Sequence, residues 1–418
     1  MRFRFVHTGD IHLDSPLKGL AGHEGAAAER IRSATRTAFS NLIDRTIEEE
    51  ASFVVIAGDL YDGDWRDYRT GLFFVAQMGR LAKAKIPVFL LYGNHDADSQ
   101  ITKRLTLPEN VRVFPHRKPH TFEIDELRVA LHGQSFRQRE VTENLVPAYP
   151  NPIAGAFNIG VLHTGLGGMG GHLNYAPCSL DDLTNKGYDY WALAHVHQAT
   201  VLRQNPHVVF CGNLQGRHIR ETGPKSACLV SVEDGMVANV GLIEADVVRW
   251  AHVPVPVDDS RNPGDLIAKI GRAIEQTVTD AGAERLLACR IELTGRTPLN
   301  DYILASREHL MAEARAAALA LGEEAAWVEH LVVSTEPLAA TSPSAPDEVA
   351  TIISDAEHDA GLHAQLSTMT SEVLSKLPHD IRSQLEEGVL KAAAESDYPR
   401  LVAEASRYLA ARLATGGT

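Results

Sequence analysis

Five short polar segments, each set directly after an apolar run, constrain this chain more than any other feature. They are Gly9-Asp10-Ile11-His12, Gly58-Asp59-Leu60-Tyr61-Asp62, Gly93-Asn94-His95-Asp96, Leu162-His163-Thr164 and Ala194-His195-Val196-His197. The runs before them are Phe3–His7, Phe53–Ala57, Pro87–Leu91, Phe157–Leu162 and Tyr190–Ala194, and Arg128–Leu131 is a sixth of the same kind. Short apolar runs that stop at Gly, Asp or His read as strands buried on both faces, whose carboxyl ends deliver polar residues into loops. A single such segment is weak evidence, because one histidine after a strand is more often satisfied packing than a ligand. Five together are different, since each buried polar group left unpaired is costly.

The spacing between these runs sets the rest of the fold. Ala26–Glu50 and Thr70–Lys85 carry helical periodicity, so residues 1–245 read as an α/β domain. Ala227–Val232 and Met236–Ile243 flank Glu233-Asp234-Gly235, which predicts a hairpin. Residues 246–336 follow a βαβαβ order: strand Val247–Val257, helix Gly264–Ala281, strand Leu286–Leu293, helix Tyr302–Leu321 and strand Trp327–Ser334. That order predicts a second, small α/β domain. Pro337–Pro346 (PLAATSPSAP) has the composition of a linker, and residues 347–418 read as a helical tail.

Bulk properties narrow the class. The 418 residues suit two or three domains, with 44% hydrophobic and 22% charged residues. The formal net charge of -14 gives no support to a general nucleic-acid-coating role. Cys178, Cys211, Cys228 and Cys289 lie far apart and show no metal-knuckle or disulfide pattern. No signal peptide or transmembrane run is legible, so a cytoplasmic protein with no membrane attachment is expected.

The chemistry of the five segments points to metal ions. In a DxH pair both side chains reach one ion from a strand end. In His195-Val196-His197 strand alternation puts both imidazoles on one side. Imidazole, carboxylate and amide oxygen together suit manganese, iron or zinc better than calcium. A carboxylate at Asp59 can sit between two ions. Two divalent ions about 3.5–4 Å apart bind a phosphoryl oxygen and activate water for in-line attack.

The segments resemble the DxH, GDxxD, GNHD, lone-His and HxH motifs of the calcineurin-like metallophosphoesterase superfamily. Within it the chain resembles the SbcD nuclease family of double-strand-break repair exonucleases, and its YhaO-like branch, through His7–Pro16 (HTGDIHLDSP), Tyr175–Leu183 (YAPCSLDDL) and Gly212–Gly223 (GNLQGRHIRETG). The resemblance implies a four-layer αββα sandwich over residues 1–245, a cap domain over 246–336 that contacts DNA, and a C-terminal region that binds an SMC-like coiled-coil ATPase (SbcC/YhaN-like). A homodimer is also implied. Asp10, His12, Asp59 and His197 are then the ligands of a first metal, and Asp59, Asn94, His163 and His195 those of a second, with Asp59 bridging. The metal implied is Mn2+, with Fe2+, Zn2+ and Mg2+ left open. His95 matches the catalytic histidine, Asp96 is expected to hold its tautomer, and Asp62 to hold its own turn or a ligand. The family commonly has glycine where this chain has Ala194, so that position is expected to be strained if it needs positive φ or close backbone approach.

Other polar residues have plainer readings. His7 and His132 are expected to be satisfied core or turn histidines, and His172 sits in a Gly-rich loop that is no P-loop, because no GKS or GKT follows. Arg217 and Arg220 are candidates to grip a phosphate, against the plainer reading of a surface loop paired with local acids. The same residues also allow two other functions. One is a metallophosphoesterase acting on nucleotides, cyclic nucleotides or phosphoproteins; the other is a metal-stabilised non-catalytic subunit.

Overall fold

The computed structural model describes residues 1–17, 26–63, 68–98, 105–169, 174–282, 284–338, 355–356, 359–376 and 389–414. His172, most of the Pro337–Pro346 stretch and parts of the helical tail lie outside the described residues.

The chain is α/β. In order, the strands are β1 (Arg2–Thr8), β2 (Phe53–Ile56), β3 (Val88–Leu90), β4 (Val111–Val113), β5 (His120–Ile124), β6 (Val129–Gly133), β7 (Phe157–His163), β8 (Tyr190–Ala194), β9 (Thr200–Gln204), β10 (His207–Phe210), β11 (Ser226–Glu233), β12 (Met236–Glu244), β13 (Val248–Pro256), β14 (Leu286–Thr297) and β15 (Ala326–Pro337). The helices include α1 (Ala26–Glu48), α2 (Tyr68–Lys83), α3 (Asn94–Asp98), α4 (Leu180–Asn185), α5 (Pro263–Ala281), α6 (Asn300–Ala305) and α7 (Arg307–Ala320).

Two six-stranded sheets, β12-β11-β1-β2-β3-β4 and β5-β6-β7-β8-β10-β9, make the sandwich. Strands β1 to β4 run parallel, as do β6, β7, β8 and β10. Residues alternate between faces along each strand. Phe5, Val55 and Phe89 join Phe157, Ile159 and Tyr190 in the core between the sheets. Their neighbours Val6, Val54, Ile56, Val88 and Leu90 turn outward to pack with Phe39, Leu42, Phe74 and Met78 of α1 and α2. On the far face of the second sheet, Trp191, Leu193 and Phe210 pack with Leu183 of α4 and with Tyr149 and Tyr188. These apolar layers explain the unbroken hydrophobic runs of the sequence: each fully buried Val, Leu, Ile or Phe contributes roughly 1.5–3 kcal/mol. The hairpin forms with Glu233 paired to Met236. Asp234 and Gly235 both have positive φ, as a two-residue turn of type I′ requires.

Two compact units form. The first holds Met1–His252, Gln276–Cys289 and Leu321–Glu329, and the second holds Val253–Glu275, Arg290–Ala320 and His330–Thr418. The segment 246–336 is therefore divided between the units. The reason lies in packing: Val247, Val248, Trp250, Leu286 and Ala288 form one cluster with Leu17, Ile31, Ala34 and Ile219. Strands β13, β14 and β15 form a third sheet, in that order. Asn262 starts α5 by accepting the Asp265 amide at 3.0 Å, with Pro263 as the first helical residue. The predicted helix Tyr302–Leu321 is broken at Ser306 into α6 and α7. Within the second unit, the helix Tyr398–Ala414 packs against α6. All four cysteines are free and buried, and no described helix is long and apolar enough to cross a membrane.

Candidate metal centre

The five polar segments converge at the carboxyl ends of the parallel strands. β1 and β2 deliver Asp10, His12 and Asp59, and β3 delivers Asn94 and His95. From the second sheet, β7 and β8 deliver His163, His195 and His197. The first two loops run side by side: the amide of Asp10 donates to Gly58 O at 2.9 Å, Ile11 and His12 to Asp59 O at 2.9 and 3.0 Å, and Leu13 to Leu60 O at 2.9 Å.

Two sets of ligand atoms result, each within 4.8 Å of one another: Asp10 with His12 and His197, and Asp59 with His163 and His195. Asn94 Oδ1 joins the second set, 2.9 Å from His163 Nε2. The sets lie together, for the His195 amide donates to Asp10 Oδ2 at 2.8 Å and the charges of His163 and Asp59 both act on Asp10. All seven residues expected as ligands are therefore in one place. Asp59 groups with the second set, and its charge also acts on Asp10 and His12 of the first.

The backbone is strained where the ligands sit. Asp10 (φ 46°), His12 (46°), Asp59 (52°) and His195 (101°) all occupy the left-handed half of the map. Non-glycine residues held there cost about 1–3 kcal/mol each and concentrate at functional sites. Two glycines let the loops approach. A Cβ on Gly93 would lie 2.4 Å from Asp59 Oδ1, and one on Gly9 only 2.6 Å from the Cβ of Ala194. The strain expected at Ala194 is thus absent: positive φ falls on the next residue, His195, and Gly9 makes room for the Ala194 methyl.

The donors fit divalent cations. Asp10 Oδ1 and both ring nitrogens of His12 are buried without a hydrogen-bond partner. Burial, together with the Asp59 charge, pushes Asp10 up to about 7. Burial holds His12 down to about 4 and His197 down to about 3, so both are neutral, the form that binds a metal. His163 Nδ1 faces Ala57 O at 3.1 Å, which leaves Nε2 pointing at Asn94 Oδ1 and, at 3.4 Å, Asp59 Oδ2. Burial would lower His163, but the Asp59 charge outweighs it and raises this group to about 9. Positive charge is therefore favoured between these oxygens, and a cation supplies it as well as a proton does.

His95 lies at the rim, its side chain 28% exposed. Its amide donates to Asp59 Oδ1 at 3.0 Å, and its Nδ1 faces Asp62 Oδ1 at 3.2 Å. Burial would lower His95, yet the charges of Asp59 and Asp62 raise it, so it holds a proton readily. The residue expected to orient His95 was Asp96. Its carboxylate instead accepts the amides of Leu60, Tyr61 and Gly93 at 3.2, 2.9 and 3.0 Å, which ties the second and third loops together. Asp62 takes the orienting position. It also faces His12 Nδ1 at 3.6 Å and accepts from Ser15 Oγ at 2.8 Å.

Of the two candidate arginines, Arg220 is exposed, whereas the Arg217 side chain is only 15% exposed and lies between Asp62 and Glu221. Glu221 is a residue the motifs did not single out. It is buried, with Oε1 2.6 Å from His197 Nδ1. The signal was a lone acid close after buried apolar residues, in Gly212–Gly223. His7 and His132 are satisfied by neighbours outside the site.

Comparison with known proteins agrees with this geometry. The calcineurin-like phosphoesterase family model matches residues 3–199, and the model of the metallophosphoesterase YhaO middle domain matches residues 250–336. Metallophosphoesterase YhaO of Bacillus subtilis is 34% identical over 299 residues, which cover 70% of this chain and 72% of that protein. The DNA double-strand break repair protein Mre11 of Sulfurisphaera tokodaii is 27% identical over 40% of this chain and 43% of its own length. That of Methanopyrus kandleri is 24% identical over 46% and 44%. The chain thus spans less than half the length of these two Mre11 proteins. A dimetal phosphatase from Danio rerio aligns over 58% of this chain and 99% of its own at 10% identity, with a TM-score of 0.34, too distant to bear on the site. The motifs, the sandwich and the YhaO match together establish that the chain belongs to the calcineurin-like metallophosphoesterases, in their YhaO-like branch.

Proposed function

We propose that this metallophosphoesterase is a DNA exonuclease of double-strand-break repair that works with an SMC-like coiled-coil ATPase. The observation that carries the reading is the pairing of two metal-ligand sets beside a partly exposed His95 whose Nδ1 faces Asp62 at 3.2 Å. When bound, two divalent cations would supply Lewis-acid charge for a phosphoryl oxygen and a nucleophile at neutral pH. Asp10, His12, Asp59 and His197 would hold one, and Asp59, Asn94, His163 and His195 the other. His95, oriented by Asp62, stabilises charge on the phosphate and gives its proton to the leaving oxygen.

Two observations support DNA over a small phosphodiester, and a third bears on the partner. The first is the likeness to proteins named for double-strand break repair. The second is the set of basic residues on loops that adjoin the site. Phe136 packs its ring 5.6 Å from that of His163 and donates its amide to Tyr92 O at 2.8 Å. Ser135 Oγ binds Tyr92 N and Phe114 O at 3.0 and 2.6 Å. The loops so joined expose Arg117, Lys118, Arg137 and Arg139. Exposed cations on these two loops, in a chain of charge -14, suit phosphates flanking the scissile one. The third supports a protein partner. The helix Ala360–Lys376 buries no residue and exposes Met369 and Val373, a surface suited to an apolar partner helix.

The test is cleavage of end-labelled duplex and single-stranded DNA with Mn2+, alone and with an SMC-like coiled-coil ATPase added. Metal-dependent release of nucleotides from ends is expected. No cleavage in either setting, with rapid turnover of bis-p-nitrophenyl phosphate that DNA fails to compete, would overturn DNA in favour of a small phosphodiester.

A further inference from the structure

The loop after β10 is built around one buried carboxylate. Glu221 Oε2 accepts from Asn213 Nδ2 at 3.0 Å and from the Arg217 amide at 2.7 Å. Gln215 bolts the same loop to the start of β13: its Oε1 accepts the amides of Val247 and Val248 at 3.0 and 3.2 Å, and its Nε2 donates to Val248 O at 2.6 Å. Trp250 adds a hydrogen bond to Gly216 O at 2.9 Å. This leaves Glu221 Oε1 fixed in place, 2.6 Å from His197 Nδ1. A carboxylate there requires the proton on Nδ1 and leaves Nε2 as a lone-pair donor, facing Asp10 Oδ1 at 4.0 Å.

Arg217 continues the chain of contacts. One guanidinium nitrogen lies 3.9 Å from Glu221 Oε1; the other lies 3.8 Å from Asp62 Oδ1 and 3.3 Å from Ser15 Oγ. Asp62 in turn faces His12 Nδ1 and His95 Nδ1. His197, Glu221, Arg217, Asp62 and the pair His12 and His95 thus form one continuous bracket.

We propose that Glu221 and Arg217 are positioning residues of the metal centre. Glu221 sets the tautomer and aim of His197. Arg217 spans Glu221 and Asp62 and so holds His12, His95 and His197 in register, instead of gripping substrate phosphate. This rests on the two ligand sets being a metal centre, but not on DNA as the substrate.

The test is calorimetric titration of Mn2+ into the metal-free full-length chain, followed by steady-state cleavage of bis-p-nitrophenyl phosphate. Glu221→Ala should weaken one binding step by about 10- to 100-fold, the range for partners that orient a ligand, and leave the other within about twofold. Glu221→Gln keeps an acceptor for His197 Nδ1 and should fall between Ala and wild type. Arg217→Ala should lower kcat with KM nearly unchanged, and Arg217→Lys should recover part of the loss. Unchanged metal steps in Glu221→Ala would overturn the role of Glu221. A raised KM with intact metal steps in Arg217→Ala would overturn that of Arg217 and make it a phosphate ligand. If Glu221→Ala loses both steps through misfolding, Glu221→Gln decides: wild-type affinity at both steps sinks the proposal. A wild-type chain with no Mn2+ step would refute the metal centre itself, whereas a chain that binds Mn2+ but leaves DNA uncut would refute only the substrate.

Discussion

His7 Nδ1 accepts the hydroxyl proton of Tyr190 at 3.0 Å, while its Nε2–H donates to the carbonyl of Leu193 at 3.1 Å. The carbonyl can only accept, so the tautomer is fixed and the buried ring is neutral. This pair joins β1 to β8, the strands that deliver Asp10 and His195.

The His7 contact predicts an acid-sensitive fold. Burial lowers His7 to about 3, below the unfolded value of 6.5. A depressed histidine contributes stability that is present above pH 6.5 and is lost as pH falls through the folded value. The loss is on the order of 5 kcal/mol across that window. Urea unfolding of metal-free wild type and His7→Gln between pH 4 and 7 measures it. The variant should be less stable at pH 7 but lose less on acidification; parallel slopes would contradict the assignment.

Gly93→Ala should damage the centre without dismantling the sandwich. The added methyl would lie 2.4 Å from Asp59 Oδ1 and 2.9 Å from its amide. We expect bound metal to fall and kcat to drop by about 100-fold, in line with the cost of small misplacements at an active site. Elemental analysis and circular dichroism together check this, the latter remaining native.

Asp59→Asn should abolish both metal steps, since a bridging carboxylate serves two ions. Elemental analysis at saturating Mn2+ reads the outcome. One ion kept at full occupancy would show that Asp59 belongs to its own set alone.

His95→Asn and Asp62→Asn should separate good leaving groups from poor ones. A proton donor matters most when the departing oxygen is basic. Loss of kcat should therefore be larger, by roughly 10-fold or more, for an alkyl phosphodiester or DNA than for bis-p-nitrophenyl phosphate. Equal losses on both would assign His95 to charge stabilisation alone.

What could be read from the sequence follows from what local patterns encode. The buried parallel strands were legible because both faces are apolar, and the ligands because they follow those strands directly. The hairpin was legible from Asp234-Gly235. Strands β4, β5, β9 and β10 were missed: they are short, and β4, β5 and β9 are half-exposed, so they lack a distinctive period. The exchange of Asp62 for Asp96 beside His95 was not readable, because sequence proximity says nothing of which way a loop turns. Glu221 meets His197 across 24 residues, and only the fold brings the two together.

The left-handed backbone at Asp10, His12, Asp59 and His195 bears on how such a chain can change. Glycine at any of these positions would relax the backbone and, at the two aspartates, remove a buried charge. A screen that rewards thermal tolerance alone should therefore drift toward losing these side chains, and would select well-folded proteins that hydrolyse nothing. Keeping the ligands requires selection on turnover itself, because durability and reactivity pull in opposite directions at these four residues.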